Sequence, residues 1–191
     1  VRCMMNKNEN EIIKDIIGGN QEAFSYIVNT YKDLVFNVVN KIIHNYHEAE
    51  DVTQDVFIKV YRNIHRFKFE SKFSTWVYSI AYREAIDTFR KKNNSIPFES
   101  IENTQNIEEI DNLTFDDDSS LIYDENLINK LKTEVDKLNQ TDKIIITLYY
   151  NLNNSIEEIS KITNLSESNI KVKLYRTRKH LLKKLTDNEQ R

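Results

Sequence analysis

The sequence predicts an all-α protein: two small helical domains joined by a flexible acidic linker, the C-terminal one a four-helix unit built around a helix-turn-helix pattern. Three observations carry that prediction. Gly occurs twice and Pro once in 191 residues, so helix breakers are scarce and connections should be short. Apolar residues recur at spacings of three and four through most of the chain. Charge is partitioned along it. Residues 1–92 hold 14 basic and 12 acidic side chains, residues 93–125 none and 10, and residues 126–191 hold 13 and 8. The formal charge of −3 therefore averages two mildly basic blocks and a strongly acidic connector, a division of labour written in charge.

Several function classes fall away at once. The composition, 39% hydrophobic and 30% charged, is that of an ordinary folded chain rather than a disordered one. No apolar run approaches the ~18 residues of a membrane span. The single Cys3 cannot form an internal disulfide, and no secretory signal opens the sequence, so a reducing, cytoplasmic setting is expected. No Gly-rich loop is present to cradle a phosphate. No nucleophile–base pair or metal constellation points to an enzyme.

Residues 1–10 are expected to be disordered, as chain ends commonly are. Glu11 to Ile17 then reads as a short amphipathic helix stopped by Gly18-Gly19. Asn20 caps a second helix, with Gln21 and Glu22 in the first turn, where the helix dipole favours acids. Phe24, Ile27, Val28, Tyr31, Leu34, Val35, Val38, Val39 and Ile42 keep one long buried face. His44 to Glu50 is a polar break. A helix over residues 49–64 follows, burying Val52, Val56, Val60 and Ile64 with help from Phe57 and Tyr61. Asp51, Gln54, Asp55, Ile58, Lys59 and Arg62 are left on its far side; spacing alone favours an ordinary solvated face there. His44, His47 and His65 lack the spacing and the Cys or carboxylate company of a metal site, so no metal is expected.

Arg66 to Phe73 follows neither a helical nor a strand period, because Phe67, Phe69 and Phe73 interleave with Lys68 and Lys72. Aromatics among cations suit single-stranded nucleic acid, whose bases stack on rings while cations meet phosphates. The competing reading is a loop whose Phe side chains plug a small core, and at least one is expected to do so. Ser74-Thr75 starts a helix through Lys92 that turns Trp76, Val77, Ile80, Ala81, Ala85 and Phe89 inward and shares Arg83, Asp87 and Arg90 on an outer face. Its end, Arg90-Lys91-Lys92, places cations where the dipole wants them.

Periodicity vanishes over residues 93–125, which contain Pro97 and Asp116-Asp117-Asp118. This reads as a linker extended by its own repulsion. The acid triplet lacks the alternating ligands and turn Gly of a Ca²⁺ loop. Leu127, Ile128, Leu131, Val135 and Leu138 mark the next helix. Thr141 is expected to cap another, with Ile144, Ile145, Leu148, Tyr149 and Leu152 inside. Ser155 with Glu158 three residues on is a capping-box signature. Ile156, Ile159 and Ile162 line the short helix it starts, and Asn164 suits a left-handed turn. Ser166 caps a longer helix with Ile170, Leu174, Thr177, Leu181 and Leu185 buried and Asn169, Lys171, Lys173, Tyr175, Arg176, Arg178 and Lys179 opposite. From Lys161 to Lys184 eight Lys/Arg face one acid, Glu167. Two short helices, a tight turn and a basic second helix form the pattern that lays its second helix in the DNA major groove. Residues 186–191 are left as a tail.

Three stretches, in this order, resemble the sigma-70 family of bacterial RNA polymerase sigma factors. Ala49-Glu-Asp-Val-Thr-Gln-Asp-Val-Phe57 is similar to the family's acidic Gln-containing helix. Phe73-Ser-Thr-Trp-Val-Tyr-Ser-Ile-Ala81 with Ala85-Ile-Asp87 and Arg90 resembles the helix after it. Ser155-Ile-Glu-Glu-Ile159 and Ile170-Lys-Val-Lys-Leu-Tyr-Arg-Thr-Arg178 resemble its fourth conserved region. The two-domain length points to the small extracytoplasmic-function group, with residues 11–92 as region 2 and 126–185 as region 4.

The resemblance implies a factor that binds core polymerase and promoter DNA, opens the strands and does no bond chemistry, with no cofactor. Asp51, Gln54, Asp55, Ile58 and Lys59 would dock on the coiled coil of the polymerase's largest subunit. Phe67, Lys68, Phe69, Lys72, Phe73, Ser74 and Thr75 would capture a base of the −10 strand, with Trp76, Arg83, Asp87 and Arg90 beside it. Ser155, Ser166, Ser168, Asn169, Lys171, Val172, Lys173, Tyr175, Arg176, Arg178 and Lys179 would meet the −35 element. The flap of the second-largest subunit and an anti-sigma factor are the further partners implied. The acidic linker resembles the segment that threads toward the polymerase's RNA channel. Arg83 stands where the family usually has Asn, and Ser168, Val172 and Lys173 where Gly, Ser and Arg are common, so the promoter sequence does not carry over. The rival reading, an autonomous helix-turn-helix regulator, would need a dimer surface, and no heptad seam supplies one.

Overall fold

A computed structural model describes residues 8–92 and 125–186. The N-terminal segment before Asn8, most of the linker with Pro97 and the Asp triplet, and the last five residues lie outside the described residues. The chain divides into two compact units, the first carrying the helices up to Lys92 and the second nearly all of those from Glu125 onward. Every described element is helical, as the sequence predicts.

In the first unit α1 spans Glu9–Ile17, α2 Gln21–Ile43, α3 Tyr46–Asn63 and α4 Phe73–Lys92, with a 3₁₀ turn at Ile64–Arg66. Helix α1 starts inside the stretch expected to be disordered, because Asn8 and Glu11 form a reciprocal capping box. Gly18-Gly19 ends it, Gly19 at φ 95, and Asn20 Oδ1 accepts from the backbone N–H groups of Glu22 and Ala23. The polar break before α3 shrinks to two residues. His44 closes α2 in the left-handed region and Asn45 caps α3 through Glu48 N–H. Helix α3 thus begins three residues earlier than its apolar period suggests.

Helices α2, α3 and α4 pack on one another, and α1 lies against α2 and the 3₁₀ turn. Val35, Val39, Ile42, Val56, Val60, Val77, Ala81 and Ala85 are fully buried at the centre, each larger aliphatic contributing roughly 1.5–3 kcal/mol. Tyr61, expected inside, is exposed and rests its ring 4.8 Å from that of Phe24. Two ion pairs join α3 to α4: Lys92 Nζ reaches Glu48 Oε2 at 2.6 Å, and Lys59 pairs with Glu84.

In the second unit α5 spans Glu125–Asp136, α6 Gln140–Ile146, α7 Ile156–Thr163 and α8 Glu167–Thr186. Asn139, not Thr141, caps α6 through Asp142 N–H; Thr141 is buried within the first turn. Helix α6 runs on through a π turn at Thr147–Asn151, where Leu152 N–H reaches back five residues to Thr147 O at 3.1 Å. Asn154 then closes the corner by donating from both its backbone N–H and its Nδ2 to Leu148 O. Ile144, Ile145, Leu148, Ile159, Ile162, Ile170 and Leu174 are the core. Helix α5 buries none of its residues fully, and Ile128 and Leu131 stay partly open. It packs on α8, to whose Leu185 O Lys130 donates at 2.8 Å.

Candidate nucleic-acid interfaces

The helix-turn-helix is built as the sequence predicts at its caps. Ser155 N–H donates to Glu158 Oε2 at 2.8 Å and Glu158 N–H to Ser155 Oγ at 3.1 Å. Asn164 takes φ 62, and Ser166 Oγ accepts from Asn169 N–H at 3.3 Å. Ser160 Oγ donates across the turn to Leu165 O at 2.7 Å. These bonds fix the angle at which α8 leaves the turn, and a reading helix depends on that angle.

The expected basic face of α8 is narrower than the wheel suggests. Ser168, Tyr175, Arg176 and Lys179 are exposed, and Lys171 and Arg178 half-exposed. Asn169, Val172 and Lys173, expected on that face, are buried, Val172 to 2%. Lys173 has a definite partner: its Nζ lies 3.0 Å from Asp142 Oδ1 on α6. Arg178 sets its guanidinium 5.8 Å from the centroid of Tyr150, an exposed ring on the π turn. Neither Asp142 nor Tyr150 was signalled by sequence pattern, because both contacts join positions far apart in the chain.

The loop after α3 divides its aromatics. Phe67 is 6% and Phe73 1% exposed, whereas Phe69 is 40% exposed. Phe67 is the hub, with ring centroids of Phe69, Phe73 and Trp76 at 4.9, 5.4 and 5.5 Å. Phe73 continues the cluster into the core at Tyr31, 5.8 Å away. Two of the three Phe therefore plug the core and one faces out. Phe69 does so at φ 61, a left-handed conformation that costs energy for a bulky residue and survives only where the surroundings impose it. Trp76, expected inward, is half-exposed beside Phe67. Lys68 and Lys72 are exposed on the loop and Ser74 is half-exposed. Thr75 is buried, and its Oγ1 has no hydrogen-bond partner. Arg83, Asp87 and Arg90 are all exposed along α4; Tyr78, Tyr82 and Ile86, missed by the wheel, are buried beside the expected Val77, Ala81 and Ala85.

On α3, Asp51, Gln54, Asp55, Ile58 and Lys59 are exposed together, opposite the buried Val52, Val56 and Val60. Ile58 stands exposed among Asp51, Gln54 and Asp55. Among the described residues, no group of three or more His, Cys, Asp or Glu could hold a metal ion, and no helix is long and apolar enough to cross a membrane.

The family model for sigma-70 region 2 matches residues 27–95, and that for sigma-70 region 4 matches residues 128–181. The ECF RNA polymerase sigma factor SigW of Bacillus subtilis is 33% identical over 92% of this chain and 95% of its own length. The ECF RNA polymerase sigma-E factor of Escherichia coli K12 is 27% identical over 87% and 88%. Among solved structures, CnrH in complex with the cytosolic domain of CnrY superposes with a TM-score of 0.63 at 16% identity, covering 93% of this chain and 96% of that one. RpoE of Bartonella quintana in complex with the anti-sigma factor NepR gives 0.61 at 18% identity, with 86% and 97% covered. At those identities the two structures speak to the fold.

Proposed function

This chain belongs to the extracytoplasmic-function group of sigma-70 RNA polymerase sigma factors, and from that premise we propose which of its residues perform each step of promoter recognition. The α3 face of Asp51, Gln54, Asp55 and Ile58 docks on the largest subunit of core polymerase. Its support is the exposed aliphatic among carboxylates, opposite a fully buried valine stripe. Lys59, already paired with Glu84, serves that surface by holding α3 to α4. Phe69 and Trp76 receive an unstacked base of the −10 strand, Lys68 and Lys72 hold adjoining phosphates, and Arg83, Asp87 and Arg90 line the helix beside it. Phe67 and Phe73 carry the platform from beneath.

Lys171, Tyr175 and Arg176 read and grip the −35 element from α8, with Ser168, Arg178 and Lys179 at its margins. Ser155 and Ser166 set the two helices through their caps. The chain does no bond chemistry of its own: it lends sequence specificity and strand opening to a polymerase, and it acts in the cytoplasm where that enzyme works. An anti-sigma factor is a further partner, a reading supported by the fold it shares with RpoE in its complex with NepR.

The test is transcription in vitro with core polymerase on a library of promoters. The expected result is initiation from a restricted set that shares −35 and −10 sequences. Failure to bind core polymerase in a pull-down would overturn the reading in favour of an autonomous DNA-binding regulator.

A further inference from the structure

Lys173 sits in the middle of the reading segment of α8, between Lys171 and Tyr175-Arg176, yet it points away from any groove. Its Nζ donates to Asp142 Oδ1 at 3.0 Å, with the two side chains only 10% and 17% exposed. Asp142 is held in turn. Its Oδ2 accepts from Asn139 Nδ2 at 2.8 Å, and its N–H donates to Asn139 Oδ1 at 2.9 Å. It also stands in the first turn of α6, where the helix dipole favours a carboxylate. Both carboxylate oxygens therefore have partners, one on each side.

Beside this pair, Ile170 and Leu174 anchor the same part of α8 by apolar burial. Apolar burial is non-directional: it holds a helix against its neighbours but resists small rotations and slides only weakly. A charge-assisted hydrogen bond to a fixed oxygen has a preferred length and direction, so it sets rotation and axial position together. A rotation of α8 by a few degrees shifts the tips of Lys171, Tyr175 and Arg176 enough to spoil hydrogen-bond geometry at a base or phosphate.

We propose that the Asp142–Lys173 pair is a positioning device for promoter reading, which fixes the pose of α8 without either residue touching DNA. This rests on the assignment of α8 as the −35 reader. It makes Asp142, on a different helix, a determinant of −35 affinity, and it removes Lys173 from the set of DNA contacts.

The experiment uses the full chain assembled with core polymerase, bound to duplexes carrying the −35 sequence selected in vitro. Asp142→Asn, Lys173→Met, the double variant and Lys173→Arg are compared for affinity, salt dependence and preferred −35 bases, with thermal unfolding in parallel. Asp142→Asn and Lys173→Met are each expected to weaken −35 binding about three- to tenfold, as substitutions coupled to a site through packing do. The double variant should be no worse than the weaker single, since both remove one interaction, and Lys173→Arg should keep near-parent affinity. The preferred bases and the salt slope should not change, whereas loss of a phosphate contact lowers that slope by about one unit.

A lower slope or a changed base preference for Lys173→Met would overturn the proposal by making Lys173 a DNA contact. Lowered melting with unchanged −35 affinity would overturn it by making the pair merely structural. Should Lys173→Met fail to fold, Asp142→Asn and Lys173→Arg still decide. Unchanged binding when Lys171→Ala and Arg176→Ala are combined would mean instead that the −35 assignment of α8 had failed.

Discussion

Phe69 and its neighbours Phe67 and Phe73 are one residue type in one loop with opposite fates. Phe73→Ala is expected to destabilise the first unit by about 3–5 kcal/mol, as large-to-small changes in a packed core do. Phe69→Ala should leave the melting temperature nearly unchanged, because the ring is 40% exposed and its backbone strained. It should nonetheless weaken promoter opening by roughly 1–3 kcal/mol, the worth of one base stacked on one ring. Permanganate reactivity of −10 thymines, read beside thermal unfolding, separates the two effects. Arg83 offers donors only, whereas the family's usual Asn offers a donor and an acceptor. Arg83→Asn should therefore move the preferred −10 base toward one that needs an acceptor on the protein. A randomised −10 library transcribed with both proteins measures it; unchanged preference would assign base choice to the Phe69 loop alone.

Helix α3 sets a buried valine face against the exposed face proposed to meet core polymerase. Its buried valines leave Asp51 and Gln54 free of any folding role, so replacing both with Ala should change stability by no more than about 0.5 kcal/mol. The same change should weaken core-polymerase binding by roughly 2–4 kcal/mol if these are interface anchors; equal affinity by titration would exclude this face. Helix α4 buries Tyr78 and Tyr82, and α2 buries Tyr31. Burial pushes the Tyr82 hydroxyl up to about 12, against the pull of Arg90. Burial, with the nearby charge of Glu9, raises Tyr78 to about 12. Tyr31 is raised by burial and by its hydrogen bond to Glu9.

A folded-state value above the ordinary one of about 10 favours the neutral ring in the fold. That contribution is complete below about pH 10 and is lost as pH rises toward 12. Urea midpoints should accordingly fall between about pH 10 and pH 12. Tyr82→Phe should make that fall shallower, whatever it does to stability at neutral pH.

At the scale of the whole molecule, opposite charges are segregated along the chain. A basic α8 and a basic end of α4 share the chain with a segment of 10 acids and no base at residues 93–125. Acids repel phosphate over roughly a Debye length, about 8 Å at physiological salt. Replacing the acids of 93–125 with Asn and Gln should strengthen the free chain's binding to arbitrary duplex DNA severalfold at low salt, and the gain should shrink as salt rises. Fluorescence titration at two ionic strengths checks both parts, and unchanged binding at low salt would show that the acids do not screen the basic surfaces.

The sequence by itself determined the helical class, the two units, the caps at Asn20, Ser155 and Ser166, and the order of the three family motifs. Those properties are local or periodic: a cap needs residues three apart, and a buried stripe needs a repeat of three and four. Only the tertiary structure decided which aromatics of the 67–73 loop fill the core. A ring's burial depends on Tyr31 and Trp76 meeting it, and no period encodes that. It also decided that Tyr61 stays outside while Tyr78 and Tyr82 go in, since α2 and α3 cover one side of α4 and the wheel does not say which. Above all it turned Lys173 from a groove-facing cation into the partner of Asp142, 31 positions away. An ion pair across that separation exists only after α6 and α8 have packed, because it is the burial of both helices that brings the two charges within reach.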